Sequence, residues 1–317
     1  MVAVMIGLVA GSPLSAYADA VDDIHAELRA AGTQDRVERT AMLELYRELQ
    51  EQSDLTGVEI TRDIRYGVFE RQVLDVYAPV DRGDELLPVV IFVHGGSLDN
   101  GDRADYGNVA AFFAQRGFIG VNANYRLVPD IVWPQGAEDV REILGWLWTE
   151  NAESYGGDAN EMFLMGHTGG ARHVASVLFH RSSQMVRGTY LRGAILVSPL
   201  LGPSDSEAFS HYYGDAQEEF SPLSLVESYD PEMPRIPMLL LNAEFDPPSI
   251  ELSTAGMYAA LCEKYGSCPG FGQLRSHNRF SAVMSFDTPD ETVSSKVLEF
   301  IRDVRAGPRQ PEGARNR

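Results

Sequence analysis

The stretch Met162–Ala171, which reads M-F-L-M-G-H-T-G-G-A, decides the fold. The apolar run Met162–Met165 predicts a buried strand, and Ala171–Phe179 predicts a helix directly after it. A strand that enters a helix through a tight glycine-flanked turn is the setting of the G-x-S-x-G motif, whose middle residue is an exposed nucleophile. Here that residue is Thr168, and every functional hypothesis depends on this exchange.

Length, composition and charge limit the class of protein. The 317 residues suffice for one large α/β domain with insertions, and no apolar run is long enough to span a bilayer. The formal net charge of -20 disfavours nucleic acid as a partner, because its phosphates would be repelled. We therefore expect a soluble globular protein with neither a nucleic-acid partner nor an integral membrane segment.

The first residues are similar to a secretory signal peptide. An apolar stretch, Val2–Leu14, precedes Ala16–Ala18, an A-x-A pattern typical of cleavage before Asp19. No Lys or Arg precedes the apolar stretch, so a mistaken start residue or a helix of the mature chain are the alternatives. We expect residues 1–18 to be a signal peptide and the protein to be secreted or periplasmic. Without such a signal it would be cytoplasmic.

Cys262 and Cys268 are the two cysteines of the chain. In an exported protein an even count favours a disulfide, and the alternative is two free thiols. The sequence contains no C-x-x-C and no histidine cluster of the kind that binds zinc. A disulfide and no metal site are therefore expected.

Strand and helix patterns alternate along most of the chain. Residues 19–56 are charged, with apolar residues at helical spacing, and predict an N-terminal extension of one or two helices. Residues 57–305 predict an α/β fold with a mostly parallel sheet covered by helices on both faces. The irregular, acidic residues 202–234 predict an inserted cap. Residues 306–317 are expected to be disordered.

A glycine loop follows one predicted strand directly. Leu87–Val93 is a continuous apolar run typical of a strand buried on both faces, and His94–Ser97 comes next. Two adjacent glycines let backbone N–H groups approach a ligand closely, which is what an oxyanion hole needs; a plain β-turn is the alternative. We expect backbone donors from Gly96, Ser97 and Gly169. We also expect substrate contacts from His94, Gly95 and His167.

Two further strand ends supply a candidate acid and a candidate histidine. Glu244 and Asp246 both follow an apolar strand, and Asp246 is preferred because the two prolines after it stiffen its turn. His277 has the position expected from the chain order nucleophile, acid, histidine. Three other histidines are expected on the surface or in the cap: His25, His180 and His211.

From about Val58 to Arg302 the chain resembles α/β-hydrolases of the carboxylesterase and hormone-sensitive-lipase-like group. Bacterial esterases with an H-G-G-x loop and a G-H-S-A-G-A elbow are the most similar. The matching residues are His94–Gly96, Asn124–Leu127, Pro134, Glu138–Val140, Gly156–Asp158, Gly166, His167, Gly170, Ala171, Asp246, His277 and Asn278. The resemblance implies an α/β-hydrolase fold and cofactor-free hydrolysis of carboxylic esters, often aryl, acetyl or feruloyl esters.

Four residues depart from the pattern of that family. Thr168 replaces serine, Gly169 replaces the usual alanine, and Ser97 replaces the third glycine of the loop. Arg279 stands where a second histidine or a similar residue is common. A β-branched residue with positive φ at the elbow is expected to cost about 1–3 kcal/mol.

Three functions are compatible with these residues. The first is an esterase for small aryl or acyl esters, with Thr168 as nucleophile, His277 as general base and Asp246 as its orienting acid. The second is a lyase or dehydratase in which Thr168 positions the substrate and His277 moves a proton. The third is a binding protein that has lost the chemistry. The expected partner is a small-molecule ester without a cofactor, and a homodimer is left open.

Overall fold

The computed structural model of the protein describes residues 13–33, 39–180, 191–229 and 235–307. The strands in these ranges are β1 (Val58–Arg65), β2 (Val73–Pro79), β3 (Leu87–Val93), β4 (Ile119–Ala123), β5 (Gly157–His167), β6 (Leu191–Val197), β7 (Met238–Ala243) and β8 (Gly270–Leu274). The α-helices are α1 (Pro13–Ala31), α2 (Arg39–Gln50), α3 (Gly107–Ala114), α4 (Gln135–Trp146), α5 (Ala152–Ser154), α6 (Thr168–Phe179), α7 (Glu207–Tyr213), α8 (Pro222–Ser228), α9 (Pro248–Tyr265), α10 (Ser281–Met284) and α11 (Ser294–Ala306).

The strands form one sheet with the order β1-β2-β4-β3-β5-β6-β7-β8. β2 is antiparallel to both of its neighbours, and every pairing from β4 to β8 is parallel. The predicted α/β fold with a mostly parallel sheet is confirmed. Because parallel strands end at the same edge, the segments after β3, β5, β7 and β8 lie along one side of the sheet.

The core consists of one apolar layer on each face of the sheet. In β3, Val89, Ile91 and Val93 belong to the layer covered by α4, α6 and α9, and Val90 and Phe92 belong to the other layer. This alternation follows from the two-residue period of a strand. The second layer includes α3 and α11 and also both N-terminal helices, so the predicted helical extension packs into the main core.

Two segments differ from their predictions. The region predicted as an irregular cap contains α7 and α8, because Ser206 and Ser221 cap the first turns of these short helices with their side chains. Residues 230–234 lie outside the described ranges. The edge strand β8 was not predicted, because its glycines Gly270 and Gly272 weaken the strand pattern.

The predictions about the chain ends are largely outside the described ranges. These ranges include neither residues 1–12 of the predicted signal peptide nor residues 308–317 of the predicted tail. The described part of the chain contains no helix that is both long and apolar enough to cross a membrane. The predicted Cys262–Cys268 disulfide is present and joins α9 to the turn before β8.

Candidate active site

Thr168 is the first residue of α6 and follows β5 without an intervening loop. Its φ is 42°, a left-handed conformation that is an outlier for a β-branched residue. Gly166 permits the turn, because a methyl group there would lie 2.6 Å from Ala171 Cα. Gly170 permits it as well, because a methyl group there would overlap the carbonyl groups of Val93 and His94. The strained elbow expected from the sequence is therefore formed.

Replacing Gly170 with alanine should destabilise the protein by about 3 kcal/mol, because the new methyl group would overlap backbone atoms that cannot rotate away. Chemical denaturation measures this loss. Gly145→Ala, in α4, is the matched control, since nothing lies within 4 Å of that methyl group. The control should be neutral or stabilising by up to about 1 kcal/mol. Equal effects of the two substitutions would show that the elbow is not closely packed.

The glycine loop after β3 lies directly against the elbow. The backbone N–H of Gly96 donates a hydrogen bond to Thr168 Oγ1 at 3.3 Å. Gly169 has no room for a side chain, because a methyl group there would overlap the Gly96 carbonyl oxygen. Gly96 itself has a φ of 140°, which favours glycine. The loop therefore directs one backbone donor at the Thr168 hydroxyl, and the predicted donor Ser97 is exposed.

His94 supports this loop from inside the protein. Its ring is fully buried and stacks on Tyr125 with a centroid distance of 4.5 Å. Its Nδ1 lies 2.9 Å from the carbonyl oxygen of Gly95, and the Tyr125 hydroxyl donates to the His94 carbonyl at 3.1 Å. These contacts fix the position of the glycine loop relative to the sheet.

His167 presents an unpaired nitrogen beside Thr168. Its Nε2 lies 2.7 Å from the Arg279 carbonyl oxygen, which can only accept, so Nε2 carries the proton and Nδ1 carries the lone pair. Nδ1 has no hydrogen-bond partner among the described residues. A methyl group on Gly95 would collide with both this atom and Thr168 Oγ1, so the two border the same small space. Burial lowers the pKa of His167 to about 3, and the nearby charge of Arg279 adds to this.

Asp246 follows β7 and is 2% exposed. Its Oδ2 accepts a hydrogen bond from the Ala243 N–H at 2.8 Å, and its Oδ1 has no hydrogen-bond partner among the described residues. Burial raises the pKa of Asp246 to about 7, against the opposing effects of the Ser198 hydroxyl and the Arg279 charge. The alternative acid, Glu244, is half-buried and accepts from the Ser276 N–H at 2.7 Å.

Among the described residues, the hydrogen-bonding partners of the His277 ring differ from those that the sequence predicted. Its Nδ1 lies 3.0 Å from Ser281 Oγ, and its Nε2 lies 3.4 Å from Asp290 Oδ2. The backbone carbonyl of His277 accepts from the Phe245 N–H at 2.9 Å, which ties its loop to the acid loop. In the described part of the chain, its ring makes no hydrogen bond to Thr168 or Asp246. The predicted hydrogen-bonded triad is therefore not assembled in this structure.

The backbone of Arg279, two residues further along the same loop, contacts the elbow at His167 instead. Its carbonyl binds His167, and its positive charge acts on both His167 and Asp246. Ser276, with a φ of 59°, reverses the chain so that the ring of His277 is buried against His25. The chain order nucleophile, acid, histidine does not show which of positions 277 and 279 will lie near the elbow. This explains why the predicted contact of His277 is not found.

The partners of His277 were not predicted as site residues. Asp290 precedes α11, and its Oδ2 lies 2.9 Å from His25 Nε2 and accepts from the Tyr46 hydroxyl at 3.1 Å. His25 was expected on the surface but is half-buried. Burial acts to raise the pKa of Asp290, but the neighbouring rings of His25 and His277 outweigh it and hold that pKa well below its usual range. These residues are too far apart in sequence for a local pattern to connect them.

The cap packs against the elbow helix through Arg172 of α6. This buried side chain donates to the Tyr213 hydroxyl and to the carbonyl groups of Leu200 and Gly202, each at 2.7 Å. Its guanidinium also lies 4.5 Å from the ring centroid of Phe209. Aromatic side chains of the cap therefore pack around one buried cation.

The eight-stranded sheet, the strained turn after β5, the glycine loop after β3 and the acid after β7 are the features of the α/β-hydrolase fold. Sequence comparison agrees with this class: residues 74–187 match the family model described as BD-FAE. Esterase LipC of Mycobacterium tuberculosis is 34% identical over 110 residues, which cover 34% of this chain and 27% of that protein. Isoprenylcysteine alpha-carbonyl methylesterase ICME of Arabidopsis thaliana is 31% identical over 130 residues, which cover 41% of this chain and 30% of that protein.

The similarity to solved structures extends over almost the whole chain. The crystal structure of esterase B from Lactobacillus rhamnosis aligns with a TM-score of 0.69 and 19% identity, and covers 91% of this chain and 96% of that one. The resemblance to α/β-hydrolase esterases is thus confirmed for the fold. The sequence alignments span under a third of LipC and of ICME, so the activity of the whole protein is a separate question.

Proposed function

We propose that this protein is a carboxylic ester hydrolase that acts on small esters at Thr168. The observation that carries the proposal is the contact between the Thr168 hydroxyl, at a strained elbow, and the N–H of Gly96, 3.3 Å away. A hydroxyl and a backbone donor that face each other are the two parts an acyl transfer requires. The esterases among the similar proteins support the same reaction class.

In the proposed mechanism Thr168 Oγ1 attacks the carbonyl carbon of the ester. The N–H groups of Gly96 and Gly169 then donate to the oxyanion of the tetrahedral intermediate. The intermediate collapses to an acyl-threonine, and the leaving alcohol takes up the proton that the hydroxyl released. A water molecule repeats the sequence at the acyl carbon, which frees the carboxylic acid and restores the Thr168 hydroxyl.

The base that we propose is His167 and not the sequence-predicted His277. His167 Nδ1 carries a lone pair, borders the same space as Thr168 Oγ1, and is oriented by the bond from Nε2 to the Arg279 carbonyl. One bridging water can connect the nitrogen and the hydroxyl. A base whose pKa is about 3 accepts a proton weakly, so we expect a slow enzyme with a kcat/KM below the usual ~10⁴ M⁻¹s⁻¹.

A second candidate is a protein that binds a carboxylate ligand at this site without hydrolysis. It is favoured by the lack of a hydrogen-bonded base on Thr168 in the described part of the chain, together with the cationic Arg279 beside the elbow. A carboxylate would accept from the Gly96 N–H and pair with the guanidinium of Arg279. The carboxylate-binding candidate uses the same site as the esterase candidate, but no bond of the ligand is broken.

Short aryl esters and the variant Thr168→Ala distinguish the two candidates. If Thr168 is the nucleophile, ester hydrolysis should fall at least about 100-fold in Thr168→Ala and a comparable amount in His167→Gln. Thr149→Ala is the control, since this exposed threonine lies in the π-helical turn after α4, where its hydroxyl contacts the Trp146 carbonyl. An aryl phosphonate should label Thr168 in the wild type, and mass spectrometry locates the adduct.

Two results would contradict the esterase proposal. Hydrolysis that survives in Thr168→Ala would exclude this nucleophile. No hydrolysis at all, with saturable binding of a short carboxylate that Arg279→Met abolishes, would favour the binding protein. A loss in His277→Gln as large as in Thr168→Ala, with the fold intact by circular dichroism, would return the role of base to His277.

A further inference from the structure

We propose that His25, His277 and Asp290 form a binding site for a divalent transition-metal ion, with zinc as the best match, that fastens α1 to the rest of the protein. Two imidazole nitrogens and one carboxylate oxygen converge there, all within 4.8 Å of one another. This cluster is separate from the proposed chemistry at Thr168, so it stands or falls independently of the esterase proposal. The sequence predicted no metal site, since His25 and Asp290 are 265 positions apart.

The spacing of the three atoms suits a single tetrahedral ion. Asp290 Oδ2 lies 2.9 Å from His25 Nε2 and 3.4 Å from His277 Nε2. Two ligands that share a tetrahedral zinc ion at bond lengths of about 2.0–2.1 Å are about 3.3 Å apart. All three ligand atoms lie within 4.8 Å of one another, so they would move closer together around one ion. The rings of His25 and His277 are already in edge contact, with a centroid distance of 5.2 Å and an interplanar angle of 77°.

The hydrogen bonds of Ser281 orient His277 as a ligand. Ser281 Oγ accepts from the Asn278 N–H at 2.9 Å and donates its proton to the Asn278 carbonyl at 3.1 Å. Toward His277 Nδ1, 3.0 Å away, the same oxygen then acts as an acceptor, which puts the ring proton on Nδ1. In this arrangement Nε2 presents its lone pair to the cluster, as a metal-binding histidine does.

The neighbourhood of His277 Nε2 needs a positive group. This nitrogen is buried, has no hydrogen-bond partner among the described residues, and faces a carboxylate oxygen. A lone pair directed at a carboxylate is repulsive unless a cation or a proton lies between them. In the other tautomer, with the proton on Nε2, His277 would be a third donor to Asp290 Oδ2, which already contacts the His25 ring nitrogen and accepts from the Tyr46 hydroxyl. A metal ion between the side chains would remove the repulsion without a third donor.

Second contacts hold the carboxylate in place. The Tyr46 hydroxyl donates to Asp290 Oδ2 at 3.1 Å, and the Thr292 N–H donates to Asp290 Oδ1 at 3.2 Å. Supporting bonds of this kind orient metal-binding carboxylates in proteins. Two imidazoles and one carboxylate select zinc or a similar transition metal over magnesium and calcium, which prefer oxygen ligands. His25 has 14% of its side chain exposed, which leaves an edge of the cluster where water can supply a fourth ligand.

The three ligands come from distant parts of the chain. His25 lies on α1, His277 in the loop after β8, and Asp290 in the loop before α11. An ion held by all three would link the N-terminal helix to the loop that also carries Arg279. Metal binding should therefore raise the stability of the fold and protect α1 from proteolysis, in addition to any effect on the elbow.

Zinc binding to the full purified chain tests the proposal. After chelation and dialysis, titration calorimetry should show one zinc ion per chain, and zinc should raise the thermal midpoint and slow proteolysis of α1. His25→Gln should weaken zinc binding at least about 100-fold, since even loss of a supporting partner costs 10–100-fold. Asp290→Asn should have the same effect. His211→Ala, an exposed histidine on α7, should bind zinc like the wild type.

A glutamine at position 25 can still donate a hydrogen bond to Asp290, so His25→Gln separates metal binding from the docking of α1. Folding of each variant without metal is checked by circular dichroism. The proposal is overturned if the wild type binds no zinc more tightly than His25→Gln does. It is also overturned if His211→Ala removes the binding, which would place the ion elsewhere. A variant that fails to fold without metal is replaced by His25→Cys, whose thiolate should restore zinc binding.

Discussion

Replacing Asp246 with asparagine should stabilise the protein strongly at alkaline pH and much less in mild acid. The carboxyl group is 2% exposed, and burial raises its pKa to about 7, compared with about 3.9 in an unfolded chain. The amide can still accept the hydrogen bond from the Ala243 N–H through its oxygen. The substitution therefore removes a buried charge and keeps the main contact.

The direction follows from proton binding. Between about pH 4 and pH 7 the folded state holds the Asp246 proton and the unfolded state has released it, so the wild type loses stability as the pH rises. Below about pH 4 both states are protonated, and the contribution of the raised pKa is fully present. Each pH unit in this window costs about 1.4 kcal/mol, so the advantage of Asp246→Asn should grow by about 2–3 kcal/mol between pH 5 and pH 8.

Urea denaturation of wild type and variant at several pH values measures this difference. Glu244→Gln is the matched control, because Glu244 lies two residues away and is half-buried. Its difference from the wild type should change little over the same range. If the difference in free energy of unfolding between Asp246→Asn and the wild type does not change with pH, Asp246 is ionised in the folded protein at all of these pH values. Arg279 would then compensate the charge fully.

The parts of the site that were predicted correctly are encoded by neighbouring residues. The glycines after Met162–Met165 mark the elbow in the sequence, since each avoids a contact with the same turn, with the end of β3 or with the glycine loop. The glycine loop follows its strand for the same reason. Apolar runs such as Leu87–Val93 have a clear meaning because a central strand is buried on both faces. Most of the fold could therefore be predicted.

The parts that could not be predicted depend on distant contacts. His277 and Arg279 both follow β8, and which one faces the elbow is decided by the backbone reversal at Ser276 and by the N-terminal helices. His25 and Tyr46 belong to those helices and meet Asp290 only in the folded chain. No spacing rule connects residues about 250 positions apart. Chain order therefore selected His277 by its place in the sequence and could not show which residues its ring would contact.

The double substitution Thr168→Ser with Arg279→His should raise kcat/KM on short aryl esters by about 1000-fold over the wild type. Serine removes the methyl group that crowds the hydroxyl at positive φ. A histidine at position 279 would bring an imidazole to the loop position whose backbone contacts His167 and whose present charge acts on Asp246. A positioned general base contributes about 10²–10⁴-fold, and its effect depends on a competent nucleophile.

A double-mutant cycle of the wild type, Thr168→Ser, Arg279→His and the double variant separates the effect of the nucleophile from that of the base. Thr168→Ser alone should gain about 10-fold, because the proposed base His167 remains weak. Arg279→His alone should also raise kcat/KM only slightly. The gain of the double variant should then exceed the sum expected from the two single variants, because nucleophile and base act as one unit. Asp246→Asn added to the double variant should remove most of the gain, since the new imidazole would lose its orienting carboxylate.

The same cycle distinguishes position 279 from His277. If His277 were the working base, Arg279→His would add nothing to Thr168→Ser, and His277→Gln would abolish activity in every background. If the imidazole at position 279 is the base of the double variant, His277→Gln should lower its thermal midpoint but leave much of its gain in kcat/KM. The second outcome is expected, because the His277 ring contacts Ser281 and Asp290 and makes no hydrogen bond to Thr168 among the described residues.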